Sequence, residues 1–419
     1  MERIVVSGFL ALSLVAGGAT AAAQAPARPA SPPAPTTRPA AGKPADGKPA
    51  ARPAASPKFD ALVAEAAKAR EGKQLDRAIA LYQQALALRP SWDEGHWNLG
   101  TALYEVERFA EAKDAFRRVV TAQADNGTAW ALKGLCEFRL KNYDAALEDL
   151  LQARKLPITG GRDVLDVARY HAGILLTRAG QFDQALMIMN DFATQGNESP
   201  GVIEAMGLAV LRMPILPGDL PGTRRELVLL AGRARYFQGA RLMAGARNAF
   251  ELLVSRYPDT PNVHYAYGVF LLAEEPDKAI EVLQRELKVT PQNTYAKLQI
   301  AFAFIRKGEY DKALPWARDG AAEAPTDYVA RHAYGQALLE SGDVTAAVTE
   351  LEAGAKLAPD SPIMHFVLAK AYRRAGRAAD ADKAQQAFLR LDKQFREART
   401  GSESIGGIPL DAPPGSRQP

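Results

Sequence analysis

Small, apolar and polar residues follow one another in a fixed order along residues 59–399. A Leu or Ala precedes a Gly, an apolar residue comes three positions later, a short break follows, and an Ala then opens a second apolar stretch. The order is clearest in the segments HWNLGTALYEVERFAEAKDAF, RYHAGILLTRAGQFDQAL and RHAYGQALLESGDVTAAVTEL. Two apolar stretches separated by a break predict two helices joined by a turn.

This order repeats along the chain, with the second-stretch alanine as its most regular member. The alanines are Ala78, Ala112, Ala146, Ala185, Ala246, Ala279, Ala313, Ala347 and Ala381, and their spacings are 34, 34, 39, 61, 33, 34, 34 and 34 residues. A small residue lies 12 positions earlier in most repeats, and a Pro lies 12 positions later in five: Pro90, Pro258, Pro291, Pro325 and Pro359. The joint pattern of Gly, Ala and Pro indicates an internal repeat.

The repeat resembles the tetratricopeptide repeat, a 34-residue helix-turn-helix unit with small residues where its helices touch and a Pro closing the second helix. The resemblance implies an all-α protein, a right-handed α-α superhelix of about nine helix pairs. We expect the pairs to start near residues 59, 93, 127, 166, 223, 261, 294, 328 and 362.

The small residues have a physical role in such a pair. Gly100 and Ala112 are 12 residues apart on either side of a turn, so they lie opposite each other on antiparallel helices that approach closely. Leu103 and Phe116 then fill the space beside the contact. Each pair must bury its outer face on the next pair, so we expect a continuous array.

Two irregular spacings suggest how the array is divided. The 39-residue step inserts Pro157–Gly161, and the 61-residue step leaves room for one more helix, Val202–Arg212, and a loop with three prolines and two glycines. We therefore predict a first arm at 59–213, a seam loop at 214–222 and a second arm at 223–399. The second arm ends in a long, charged capping helix from Ala378 to Arg399.

The two ends of the chain have different compositions from the array. Residues 1–23 have one early Arg, an apolar stretch and then small residues, which predicts a secretory signal cleaved after Ala23. Residues 24–58 are rich in Pro and Ala and predict a disordered linker, and 400–419 predict a disordered tail. We expect a periplasmic or secreted protein without an integral membrane span after cleavage. Retention of the signal as an anchor in the inner membrane is the alternative.

Charge and cysteine content narrow the possible functions. The formal net charge of +4 belongs to the linker, which carries +5, whereas 59–399 is neutral overall. A neutral body lacks the basic face that binds nucleic acid. The single cysteine, Cys136, cannot form an internal disulfide, and the five scattered histidines do not make a zinc pattern.

No residue cluster predicts catalysis, and we expect neither a cofactor nor a metal. His96, His264 and His365 occupy one repeat position, which we interpret as a packing position, whereas His171 and His332 are expected to face the groove. Cys136 is expected to be a small apolar group inside a helix. Pro315 should bend the second helix of its repeat.

The first helices of such arrays line a concave groove, which is the predicted binding surface for a protein or peptide. The expected second-arm contacts are Tyr265, Val269, Tyr295, Gln299, Phe302, Arg306, His332, Gln336 and Arg373, with Leu298 and Ile305 equally consistent with the core. A second candidate stripe in the first arm is Trp97, Asn98, Tyr104, Phe138 and Tyr170. Exposed aromatic residues favour binding because they are costly on a surface that has no partner.

A known carboxylate clamp of this family uses Lys and Asn on the first helices of successive repeats. Only Asn98 matches among the corresponding positions, so the first arm lacks the clamp. The expected function is a non-enzymatic exported scaffold, for which the resemblance implies a role in assembling envelope, secretion or polysaccharide machinery. The alternative is a polysaccharide-binding subunit of an envelope enzyme complex. Glu340 has no carboxylate partner at matching depth in the groove, which argues against hydrolysis. The oligomeric state and the partner stay open.

Overall fold

The computed structural model describes residues 57–159 and 162–403. The described residues form nineteen α-helices and two 3₁₀ turns, with no β-strand among them. The predicted signal at 1–23, nearly all of the linker and most of the tail lie outside the described residues. No helix in the described part is long and apolar enough to cross a membrane.

The helices follow one another with short turns. Their bounds are α1 Pro57–Glu71, α2 Leu75–Leu88, α3 Asp93–Glu105, α4 Phe109–Ala122, α5 Gly127–Arg139, α6 Tyr143–Arg154, α7 Arg162–Arg178, α8 Phe182–Thr194, α9 Pro200–Val210, α10 Arg225–Gly239, α11 Met243–Arg256, α12 Val263–Leu271, α13 Pro276–Val289, α14 Thr294–Lys307, α15 Tyr310–Glu323, α16 Tyr328–Ser341, α17 Val344–Leu357, α18 Pro362–Arg374 and α19 Ala378–Glu403. Nine pairs begin close to the expected positions, and α9 is the additional helix expected in the 61-residue step. The fold is an all-α solenoid.

Inside a regular pair, the glycine of the first helix faces a large side chain of the second. A Cβ on Gly100 would lie 2.9 Å from the Phe116 ring, and a Cβ on Gly335 would lie 2.6 Å from Leu351 Cγ. Ala112, opposite Gly100, is fully buried. The small residues thus create a socket, and the side chain four positions after the alanine fills it.

The pair α12–α13 departs from the 12-residue rule. The glycine that faces the second helix is Gly268, which lies 11 residues before Ala279 and against Leu283. The first helix is correspondingly short, with nine residues. The turn to α13 has four residues, one more than the three between α3 and α4, so the shorter first helix and not a shorter turn accounts for the 33-residue spacing.

Helices α9 and α10 cross differently. A Cβ on Gly207 would overlap the carbonyl oxygen of Val228, and a Cβ on Gly232 would overlap that of Ile203. The two backbones therefore touch directly at reciprocal glycines. On α10, Gly232 and Ala234 point about 200° apart; both Ala234 and Ala246 of α11 are fully buried. Helix α10 thus packs against α9 through Gly232 and against α11 through Ala234.

The segment between α9 and α10 contains only the 3₁₀ turns Pro217–Asp219 and Gly222–Arg224, so it interrupts the helices as expected. Leu216 from this segment is buried in one hydrophobic cluster with residues of the first arm and with Tyr236 of α10. Apolar packing is therefore continuous across the loop. The division into two arms remains a proposal about stability.

Two smaller expectations concern α15 and α19. Helix α15 runs through Pro315 without a break. Helix α19 has 26 residues and ends at Glu403, four residues beyond Arg399, so residues 400–403 are helical where the sequence predicts tail. Likewise Pro57 and Lys58, expected in the linker, open α1.

Candidate binding groove

The structure sorts the predicted second-arm contacts by exposure. Tyr295 is 40% exposed and Val269 36% exposed, as a binding surface requires. Tyr265 is only 7% exposed, so the expectation that it is an exposed aromatic residue is wrong. Leu298 and Ile305 are buried and belong to the core. Leu298 and Ile305 pack in one cluster with alanines of α15 and α16, and Tyr265 packs with residues of α13 and α14. Periodicity alone does not reveal this packing.

Phe302 and His332 form the centre of the remaining stripe. Both are half-buried, and their ring centroids are 5.5 Å apart. Burial lowers the pKa of His332 to about 4, and its Nε2 atom has no hydrogen-bond partner among the described residues. His332 is therefore neutral near pH 7 and acts as a flat, largely apolar neighbour of Phe302.

The polar members of the stripe are engaged in contacts within the array. Arg306 donates from Nη1 to the carbonyl of Leu272 over 3.1 Å, and Arg373 donates from Nη2 to Gln385 Oε1 over 3.0 Å. Gln299 hydrogen-bonds to the Tyr265 hydroxyl. Gln336 is half-buried. The two arginines remain exposed, so they can reach an acidic ligand only by sharing or exchanging these contacts.

The first-arm stripe packs more closely on its own core. Trp97 lies 5.8 Å from Phe116, Tyr104 lies 5.5 Å from Phe109, and all four aromatic residues of the stripe pack on the core of the first arm. Burial raises the pKa of Tyr104 to about 12. The first role of these rings is therefore to pack the core of the first arm, and ligand binding would be a second role.

Two further first-arm residues are held by neighbours. Asn98 accepts a hydrogen bond from Arg70 over 3.1 Å. Phe138 packs edge-on against His171 with ring centroids 4.5 Å apart, and burial lowers the pKa of that histidine. His171 therefore belongs to the packing of the array more than to an open groove.

The side chains that could take part in catalysis are also buried or bound within the array. Burial raises the pKa of the Cys136 thiol to about 12, so the thiol packs as an apolar group, as expected. Partial burial of Glu340 opposes ionisation, but hydrogen bonds from Lys370 and Arg374 outweigh it and place its pKa below the usual range. A carboxylate held ionised by two cations is a poor proton donor.

The three equivalent histidines have a role that the sequence pattern did not show. Nε2 of His96 lies 2.9 Å from the carbonyl oxygen of Pro90, and His264 and His365 make the same bond to Pro258 and Pro359. Trp130 and Arg331 donate to the carbonyl six residues earlier in their own repeats. The position therefore fixes the loop between repeats. The available signal was the constant six-residue spacing.

Arg212, which sequence reasoning missed entirely, stands at the junction of α9 with the later repeats. Its guanidinium carbon lies 3.9 Å from the Tyr295 ring centroid, 4.8 Å from that of Phe182 and 5.6 Å from that of Tyr265. Tyr295 and the buried Tyr265 are thus joined through a cation from the turn after α9, more than 50 residues earlier.

A polar network lies beside this cluster. The Glu286 carboxylate is completely buried and accepts hydrogen bonds from the backbone N–H groups of Asn262 and Tyr265 and from Asn293 Nδ2, over 2.8, 3.1 and 3.2 Å. Asn262 also donates from Nδ2 to the carbonyl of Leu211 over 3.0 Å. This network fixes the start of α12 against the end of α9.

Comparison with known proteins supports the repeat on sequence grounds. Residues 97–157, 273–328 and 333–394 match one tetratricopeptide repeat family, and residues 69–106 match a second TPR repeat family. The human protein O-mannosyl-transferase TMTC3 is 23% identical over 280 residues, and the bovine BBSome complex member BBS4 is 30% identical over 94 residues. These alignments cover 62% and 22% of this chain, but only 29% and 18% of those proteins.

A solved structure to which this chain is similar is MamA from Desulfovibrio magneticus RS-1. It is 18% identical, with a TM-score of 0.37, and the alignment covers 40% of this chain and 96% of that one. The repeated helix pairs, the sockets made by their small residues and the family matches together identify this chain as a member of the tetratricopeptide repeat family.

Proposed function

We propose that the chain is an exported, non-catalytic scaffold whose second-arm groove binds a protein or peptide, in the assembly of cell-envelope or secretion machinery. The observations that carry this proposal are the exposure of Tyr295 and Val269 and the half-buried ring pair of Phe302 and His332, all on first helices. Large, rigid side chains of this type usually supply most of the energy of an interface. One relative named above is a member of a protein complex, which agrees with an adaptor role.

The side chains of the groove are better suited to binding a ligand than to catalysing a reaction. Its carboxylate, Glu340, is bound by two cations, and its imidazole, His332, is neutral and packed against Phe302. Neither group is placed to move a proton to or from a substrate. This arrangement supports a binding role.

The test is capture of partners by the full chain with matched groove variants. Tyr295→Ala combined with Phe302→Ala should weaken binding of a captured protein by about thirtyfold or more, or about 2 kcal/mol, without changing helix content. The first-arm pair Trp97→Ala and Tyr104→Ala is measured in the same assay. If only the first-arm pair weakened binding, the groove would be in the wrong arm; if neither pair did, the groove hypothesis would be lost.

Export is tested separately. We expect the mature chain to begin at Gln24, because Ala21, Ala22 and Ala23 supply the small residues that signal peptidase requires. Intact-mass measurement of the chain recovered from the producing cell's envelope checks this expectation. A chain that retains residues 1–23 would indicate an N-terminal anchor.

A further inference from the structure

The side chains that face from one repeat to the next are covered along the array until its last pair. The position seven residues after the second-stretch alanine is buried in the first eight pairs, where its occupants are Ala85, Val119, Ala153, Phe192, Leu253, Glu286, Gly320 and Gly354. The following repeat supplies part of this cover, because Val119 clusters with Ala129 of α5, and a Cβ on Gly354 would lie 2.4 Å from Met364 Cε of α18. In the ninth pair the same position is Phe388, which is only half-buried.

The next position along the second helix changes more strongly. Where it is apolar in the earlier pairs it is buried or half-buried, at Leu86, Val120, Ala193, Val254, Leu287, Ala321 and Ala355. In the ninth pair it is Leu389, which is 56% exposed. The side chain that should meet a following repeat therefore lies open in the last pair.

The first helix of the last pair shows the same loss of cover. Phe366 of α18 lies 34 residues after His332 and 68 after Leu298, so the three occupy one repeat position. Leu298 is buried against alanines of α15 and α16, whereas Phe366 is 43% exposed. Its ring centroid lies 5.3 Å from that of Phe388. We call Phe366, Phe388 and Leu389 the terminal face.

The terminal face is open because no helix follows α19 in the described part of the chain. Helix α19 has 26 residues, whereas α17, the second helix of the preceding pair, has 14. The chain therefore runs on past the array where it would otherwise turn and form a covering helix. Solenoids need a cover on their end repeats, since an open apolar end favours association.

The residues directly after α19 supply an apolar segment. Residues 404–410 read SIGGIPL and carry no charge, and Ile405, Ile408 and Leu410 are the large aliphatic residues of 404–419. Two glycines allow the chain to turn, and Pro409 favours an extended backbone because its φ is fixed. This segment lies outside the described part of the chain.

Length decides which of these side chains can reach the terminal face. Glu403 is 14 residues beyond Leu389 on α19, a rise of about 21 Å. A chain that turns back at Ser404 and extends covers about 3.3 Å per residue, so it carries Ile405 about 7 Å, Ile408 about 16 Å and Leu410 about 23 Å back along the helix. Leu410 therefore reaches the level of Leu389, whereas Ile405 stops about 14 Å short of it.

We propose that residues 408–410 fold back along α19 and cover the terminal face, with Leu410 against Leu389 and Phe366. The proposal assigns a fixed position to part of the segment that the sequence predicts as a disordered tail. It does not depend on what the groove binds. Its consequence is a closed end of the array, on which a second copy of the chain cannot stack.

Disulfide trapping in the full chain tests this placement. Leu389→Cys combined with Leu410→Cys brings two thiols within bonding distance if the segment folds back. Leu389→Cys combined with Ile405→Cys is the matched control, because residue 405 cannot reach residue 389. Cys136 is buried and does not compete. In dilute protein with oxidised glutathione, we expect the first pair to form a disulfide within one chain at least tenfold faster than the control.

Hydrogen exchange in the full chain tests the cover itself. Leu410→Ser should make residues 362–368 and 385–392 exchange at least threefold faster, because their side chains lose an apolar neighbour. Ile405→Ser is the control and should leave exchange unchanged. Exchange in α3, which is far along the array, should not differ between the variants.

Three results would overturn the proposal. Equal rates for the two cysteine pairs would show that residue 410 has no preferred place on α19. A disulfide between two chains, at a rate that rises with protein concentration, would assign the terminal face to a second copy. Unchanged exchange in Leu410→Ser would show that the segment covers nothing.

Discussion

The pairs α16–α17 and α9–α10 both place glycine where two helices cross, but against different obstacles. Gly335 of α16 faces the side chain of Leu351, whereas Gly207 of α9 faces the carbonyl of Val228 and Gly232 of α10 faces that of Ile203. A leucine side chain can change rotamer or shift with the helix that carries it. A carbonyl inside a helix cannot move without breaking its hydrogen bond. The regular repeats are therefore adjustable, and the junction is rigidly specified.

Both regions hold buried charged groups: in the regular pair α5–α6, Asp149 is buried and paired with Lys133, and the junction holds a larger polar network. Glu286 is completely buried and accepts three hydrogen bonds, and Arg212 is buried among aromatic rings. A buried polar network is favourable only when its members keep their hydrogen-bond partners. The close crossing of α9 and α10 supplies a fixed framework next to them.

The largest effect should come from Gly232→Ala. The added Cβ would overlap the Ile203 carbonyl oxygen, so the two helices must separate, at a cost of about 3 kcal/mol or more. Gly335→Ala should cost less, because Leu351 can move and alanine gains about 1 kcal/mol of helix propensity. Urea unfolding monitored by circular dichroism measures both. Gly218→Ala is the control, because a Cβ there meets nothing within 4 Å. An equal loss of stability in Gly232→Ala and Gly335→Ala would show that the junction and the regular pairs do not differ in this way.

Ala347→Leu should have the next largest effect and tests how far a regular pair is independent of the junction. Ala347 is fully buried, and its carbonyl lies 3.4 Å from where a Cβ on Gly335 would be. Added methylenes there cost roughly 1 to 3 kcal/mol, and in a solenoid the loss falls mainly on neighbouring repeats. Hydrogen exchange should show reduced protection in residues 223–399 before 59–213. Equal loss in both ranges would contradict the two-arm proposal.

The sequence predicted what is local and periodic. The pair starts, the extra helix near Val202 and the buried alanines follow from spacing, because each repeat meets its neighbours in the same way. The burial of Tyr265 and the aromatic contacts of Arg212 could not be predicted in the same way. Their contacts join the turn after α9 to α12 and α14 across more than 50 residues, a separation that no repeat spacing encodes. Periodicity also could not separate buried Leu298 from exposed Tyr295.

An effect of similar size, spread over a range of pH, is expected from acid. His332 has a pKa of about 4 in the folded chain and 6.5 as its ordinary value, so the unfolded chain binds more protons between these values. Stability should therefore fall as the pH drops from about 6.5 to 4, by up to about 3 kcal/mol from this residue. His332→Leu, which places the residue of the equivalent position Leu298, should flatten that part of the urea-midpoint profile. An unchanged profile would show that His332 does not titrate as its burial requires.

The smallest effect concerns the bond between His365 and the Pro359 carbonyl, 2.7 Å long, in the last repeat. His365→Phe keeps a ring but removes the donor, and should cost about 1 kcal/mol, the usual net value of one hydrogen bond. His365→Arg should restore much of the loss, because Arg331 donates from Nε to the Pro325 carbonyl at the equivalent position over 3.1 Å. This repeat position therefore accepts different side chains as long as each donates a hydrogen bond to the carbonyl, whereas the junction requires a particular backbone geometry.

Hydrogen exchange in α18 and α19 is the sensitive measurement, since a loss of protection confined to the end of a solenoid hardly changes a global unfolding midpoint. If the Phe and Arg variants lost protection equally, the carbonyl bond would not be what fixes the loop, and shape alone would explain the conserved spacing from proline to histidine within this chain.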